Sequence, residues 1–169
     1  FEIDSITSFL ESLGLGSNLK QKQFAKLCFD GSMQALADYR TFIASNNIGD
    51  NLDLLSFSES DVGSPQEHFK FNGNYFSRSS LNYLLGLSYL KKVAPHFVPR
   101  KVLEIGGGFG TLGEIIFKSK IADFKYIDLD LPPMFLIARD YLKACIKNTE
   151  LFFVEDYNAS KELGIDNLP

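Results

Sequence analysis

Apolar positions along the chain follow two different rhythms, and the change falls near residue 100. In DSITSFLESLGLG (4–16), Ile6, Phe9, Leu10 and Leu13 recur three or four apart, the spacing that lines one face of a helix. Asp4 or Ser5 supplies an N-cap there, and Gly14 or Gly16 a stop. LKQKQFAKLCF (19–29) and SMQALADYRTFIA (32–44) repeat the pattern, broken at DGS and closed by SNNIGDN. Residues 50–76 mix Asp, Ser, Gly and Pro with aromatics and hold no clear period. They predict a long loop or short strands, the kind of segment used as a lid or for binding. SRSSLNYLLGLSYLKKVAP (77–95) then predicts a helix with a serine N-cap and Pro95 as its stop.

From Arg100 onward short β-branched runs alternate with helical ones. KVLEI reads as a strand, TLGEIIFKSKI as a helix and FKYIDLD as a strand. PPMFLIARDYLKACIKN reads as a helix opened by proline, and ELFFVE as a third strand. Such alternation predicts right-handed βαβ units and a parallel sheet. The fold class is therefore α/β: a mainly helical region over 1–99, a boundary near Pro99, and a parallel sheet over 100–169.

Composition narrows the function classes. The 169 residues fit one domain or one and a half, and 45% hydrophobic residues with 16 Phe suit a packed core. A net charge of −4 without a long basic run speaks against a nucleic-acid surface. No stretch approaches the roughly 20 apolar residues of a membrane span, and the first residues do not form a signal peptide. Cys28 and Cys145 have no metal-ligand spacing and read as reduced thiols of a cytoplasmic protein. A start at Phe1 and an end at GIDNLP, without a helix stop, suggest a fragment.

The chemistry concentrates in VLEIGGGFGTLGEII (102–116), where four of the five residues from Gly106 to Gly110 are glycine. A turn leaving a parallel strand lies at the carboxyl edge of its sheet, where open α/β folds bind ligands. Bare backbone there admits positive φ and close approach, and the next helix, starting near Thr111, presents free N–H groups. Two frames compete for this loop. Gly108-Phe109-Gly110-Thr111-Leu112-Gly113 matches G-x-G-x-x-G, the pyrophosphate fingerprint of NAD enzymes. Glu104-Ile105-Gly106-Gly107-Gly108-Phe109-Gly110 reads E-x-G-x-G-x-G and resembles motif I of the class I S-adenosylmethionine-dependent methyltransferases. The strand ends at Ile105, so the NAD frame would begin two residues late. Glu104 would also repel a pyrophosphate, whereas it would attract an α-ammonium, directly or through water.

A ribose calls for a carboxylate at the end of the second strand, about 20 residues on. YIDLDLPPMFLIARDYL offers Asp128 and Asp130. Asp130, followed by Leu131 and a proline-opened helix, fits the methyltransferase register better, with Asp128 in reserve. Leu131 and Met134 would flank the adenine or belong to the core. Asp156, with Glu155 as alternative, is placed at the third strand end to meet the adenine amine.

Residues 74–142 are similar to bacterial sugar O-methyltransferases. The likeness rests on the serine-initiated helix, on VLEIGGGFGTLGEII and on the D-L-P and Y-L of YIDLDLPPMFLIARDYL. It implies a Rossmann-like sheet of which 100–169 is the first half, with later strands beyond Pro169. It implies S-adenosylmethionine as cofactor, held by Glu104, Gly106, Gly108, Gly110 and Asp130, with Gly107 in the same loop. The implied reaction is methyl transfer to a hydroxyl of a sugar or similar small molecule, as in polysaccharide biosynthesis. A sugar hydroxyl is a poor nucleophile, so a general base or a metal is expected. His68, with Tyr75 and Arg78, is the candidate within the chain, although the base is expected beyond residue 169; His96 reads as structural. No H-x-x-x-H or clustered carboxylate motif supports a metal. The helical region either covers the acceptor pocket or forms a homodimer. The alternatives are an NAD-dependent oxidoreductase or epimerase and a non-catalytic binding or dimerisation module.

Overall fold

The computed structural model describes residues 30–45, 52–120 and 124–146, together with the single positions Ser8, Ser12 and Gln23. The helices expected over 4–16 and 19–29 and the strand ELFFVE, with Glu155 and Asp156, lie outside the described residues.

Helix α1 spans Ser32–Ser45, and Asp30 Oδ1 accepts from the Ser32 amide at 2.8 Å at its start. The aperiodic stretch that follows contains a hairpin, β1 (Phe69–Phe71) and β2 (Asn74–Phe76), paired antiparallel with Phe69 opposite Phe76. Asn72 and Gly73 turn it with φ of +49° and +90°, the paired positive angles for which Asn-Gly is favoured in two-residue hairpin loops. Helix α2 runs Arg78–Val93 behind a capping box in which Ser77 and Ser80 cap each other. Glu59 reinforces that end, accepting from the Ser77 amide and hydroxyl and from the Ser80 hydroxyl.

Strand β3 (Lys101–Ile105) leads through the glycine loop to helix α3 (Thr111–Lys118). Strand β4 (Lys125–Leu129) is parallel to β3, with Lys101 opposite Lys125 and Ile105 opposite Leu129, and leads to helix α4 (Met134–Cys145). Helix α3 stops earlier than its sequence pattern. Ser119 bonds back to Ile115, and Lys120 takes a left-handed φ of +58°. The described chain is thus mixed α/β, with four helices and two small two-stranded sheets, one of them parallel. No helix among the described residues is long and apolar enough to cross a membrane.

A hydrophobic core joins α1, β2, α2 and α3. Ala35 and Phe42 of α1, Leu81 and Leu84 of α2, Phe76 of β2 and Ile115 of α3 meet Leu52, Leu54 and Phe57 in it. Ile115 thereby carries the core across position 99. Tyr39 stacks on Phe71 at 4.6 Å at its margin.

Residues 52–60 form a strap rather than a free loop. Lys91 donates to the Leu52 carbonyl, Lys118 to the Ser58 carbonyl, and the Ser60 amide to Glu114. Backbone that runs inward needs partners for its polar groups, and these two lysines and Glu114 supply them. The parallel pair is covered unevenly. Glu104, Tyr126 and Asp128 lie on the inner side, while Leu103, Ile105 and Leu129 on the other are exposed.

Candidate functional site

At the carboxyl end of the parallel pair, the Gly106 amide donates to the Leu129 carbonyl at 2.8 Å and extends the ladder one step beyond Ile105. The chain then turns sharply, and α3 begins at Thr111 with Gly110 as its N-cap.

The glycines have separable roles. A Cβ on Gly107 would fall 2.6 Å from a carboxylate oxygen of Asp128, and one on Gly110 would fall 3.1 Å from Leu142. Gly113 likewise leaves room for the Tyr126 ring, which a Cβ would approach to 2.8 Å. Those three are glycine because the protein's own side chains occupy the space. Gly106 and Gly108 differ: their φ values are +75° and +62°, and a Cβ on either would meet nothing within 4 Å. They are the two places where bare main chain turns outward.

Three carboxylates surround this turn. Asp130 Oδ2 accepts from the Gly108 amide at 2.8 Å and Oδ1 from the Leu131 amide at 2.7 Å. Asp128 Oδ1 accepts from the Gly107 amide at 3.2 Å, whereas its Oδ2 is buried without a hydrogen-bond partner. Burial pushes the Asp128 carboxyl above the usual range; the Gly107 bond opposes this, and the charges of Glu104 and Asp130 add to it. Glu104 is 9% exposed, and its two oxygens are each taken by a phenol, Oε1 by Tyr83 at 2.7 Å and Oε2 by Tyr126. Tyr83 is pushed up to about 12, first by burial and then by its bond to Glu104; Tyr126 is raised for the same reasons.

The structure brings Glu104, Gly106, Gly107, Gly108, Gly110, Asp128 and Asp130 together. Each oxygen of Asp130 accepts from one backbone amide, whereas Asp128 keeps one oxygen without any partner. Leu131 is 77% exposed beside Asp130, and Met134 is half-buried at the start of α4.

No protein family, curated protein or solved structure matches the chain.

His68 packs against Tyr75 in a tilted pair with ring centroids 4.8 Å apart, and its Nε2 is buried without a hydrogen-bond partner. Lys70 Nζ lies over the same Tyr75 ring, 5.1 Å from its centroid. Arg78 packs toward Gly31, at the start of α1. None of these contacts ties His68 to the glycine loop, and His96 is exposed after α2. No group of three or more His, Cys, Asp or Glu side chains suited to a metal occurs among the described residues.

Sequence reasoning passed over Tyr83 and Tyr126. Tyr126 carried a signal, because it lies two residues from Asp128 and so shares its strand face. Gly113, unexplained by the E-x-G-x-G-x-G frame, marks the room that its ring needs. Tyr83 carried none, since only the fold sets α2 against the end of β3.

Asp128→Asn tests the strain in this cluster. A raised folded-state pKa means that Asp128 favours folding below its unfolded pKa, and this advantage is lost as pH rises through the folded value. At pH 7 the ionised side chain therefore subtracts from stability. Asparagine keeps an acceptor for Gly107 and removes the charge. The variant is expected to have a higher urea midpoint than the parent chain at pH 7, with the gain vanishing below about pH 4. Denaturation curves at both pH values check this.

Proposed function

We propose that the chain is the cofactor-binding part of an S-adenosylmethionine-dependent O-methyltransferase acting on a hydroxyl of a saccharide or similar small molecule. The observation that carries this reading is the outward-facing bare backbone at Gly106 and Gly108 set among Glu104, Asp128 and Asp130. Three acidic side chains suit a ligand that offers ribose hydroxyls and an ammonium group, and they disfavour a diphosphate by repulsion between like charges. The buried, unpaired Oδ2 of Asp128 is an acceptor in want of a donor, which a ribose hydroxyl supplies. The chain's residues thus fit the nucleoside cofactor better than NAD.

In this reading Gly106 and Gly108 let the nucleoside lie against the main chain. Asp128 accepts from the ribose, and Asp130 keeps the loop in shape through the Gly108 and Leu131 amides. Glu104 faces the amino-acid tail. Bound there, the cofactor supplies a methyl carbon already activated by its sulfonium. The remaining task of the protein is to position an acceptor oxygen, exclude water and remove its proton. The parallel pair is read as the start of a Rossmann-like sheet in a cytoplasmic enzyme, with the helical region before Pro99 covering the site or pairing with a second copy.

Calorimetric titration with S-adenosylhomocysteine and, separately, with NAD tests the reading. Micromolar-range binding of the first and none of the second is expected; the reverse order would make the chain a dinucleotide-binding protein.

A further inference from the structure

Glu104 is held from two directions. Tyr126 reaches Oε2 from the neighbouring strand, and its ring is fixed by the close approach of Gly113. Tyr83 reaches Oε1 from α2, 21 residues earlier in the chain. Helix α2 is itself anchored at its first turn by the buried Glu59. We infer that Tyr83 is a positioning residue for the amino-acid tail of the cofactor, an inference that rests on the function proposed above.

An ionised carboxylate has about four acceptor sites on its two oxygens. Two phenol donors, one on each oxygen, set the orientation of the group and leave further lone pairs for an ammonium. A glutamate with only one donor keeps its terminal rotation and must be ordered when the ligand arrives, which weakens binding. Removing the Tyr83 hydroxyl also leaves a mostly buried acceptor short of a partner. The effect is confined to ligands that reach Glu104. A nucleoside lacking the amino-acid tail has nothing to gain from the position of that carboxylate.

The experiment compares two ligands on two proteins, each the full 169-residue chain. S-adenosylhomocysteine carries the α-ammonium; 5′-deoxy-5′-methylthioadenosine has the same nucleoside without the tail. Tyr83→Phe keeps the ring and its packing. The variant is expected to bind S-adenosylhomocysteine about 10-fold more weakly than the parent chain, with its affinity for methylthioadenosine unchanged. Retained methylthioadenosine binding also reports that the variant is folded. Equal weakening toward both ligands would make Tyr83 a structural residue only and overturn the inference, as would no change toward either. Failure of the parent chain to bind either ligand would instead sink the methyltransferase reading, and this inference with it.

Discussion

Gly108→Val is expected to reduce the affinity for S-adenosylhomocysteine by at least about 100-fold, or about 2.8 kcal/mol. Two effects act at that position. The backbone sits at φ +62°, where a β-branched residue is strained, so some loss of stability accompanies the change. Independently, a Cβ on Gly108 points where no protein atom lies within 4 Å, and the valine side chain would occupy the space assigned to the ligand. Gly73→Val separates the two effects. Gly73 lies in the hairpin turn with φ +90° and equally open surroundings, so a valine there strains the backbone without entering the site. Comparable falls in urea midpoint are expected for both variants, with binding lost only in the first. Retained affinity in Gly108→Val would show that the ligand does not lie against this backbone.

The largest stability effect is expected at Glu114. Its side chain is 0% exposed within α3 and accepts from the Ser60 amide at 2.9 Å, the Lys118 ammonium at 2.6 Å and the Tyr141 hydroxyl at 2.7 Å. Those donors come from the strap, from the next turn of the same helix and from α4. A carboxylate in the first turn of a helix also interacts favourably with the helix dipole. Alanine would deprive the half-buried Ser60 amide and Tyr141 hydroxyl of this acceptor, while Lys118, more exposed, turns toward water. Hydrogen bonds to charged groups contribute about 1.5–3 kcal/mol each, and losses within one network are not additive. A destabilisation of about 4 kcal/mol is expected, a large part of the 5–15 kcal/mol typical of a folded domain. Urea titration of Glu114→Ala measures it. A change below about 1 kcal/mol would mean that the strap is not held to α3 through this carboxylate.

Where local pattern and final environment agree, the sequence was legible. KVLEI and the core of FKYIDLD are strands because short β-branched runs bounded by glycine and charged residues suit a parallel ladder. The helix after SRSSL forms because Ser77 and Ser80 cap its start. The glycine loop and its three acids were legible because bare backbone beside carboxylates at strand ends is itself a chemical statement. Residues 52–60 resisted reading for the opposite reason. Leu52, Leu54 and Phe57 are spaced like neither helix nor full strand, and three charged side chains from distant positions, Lys91, Lys118 and Glu114, hold the segment inward. Register favoured Asp130 over Asp128, but which loop amides each carboxylate finds is set by the fold. Tyr83 was invisible because its meeting with Glu104 is a tertiary contact. His68, singled out as a candidate base, packs against Tyr75 of the hairpin.

A backbone ¹⁵N–¹H NMR titration of the chain with S-adenosylhomocysteine addresses the central claim most directly. The amides of Gly106, Gly107, Gly108 and Leu131 are expected to shift together and saturate at one affinity, since these groups line the turn or bond the aspartates beside it. Shifts confined to other parts of the chain, or a response at this turn to NAD but none to S-adenosylhomocysteine, would contradict it.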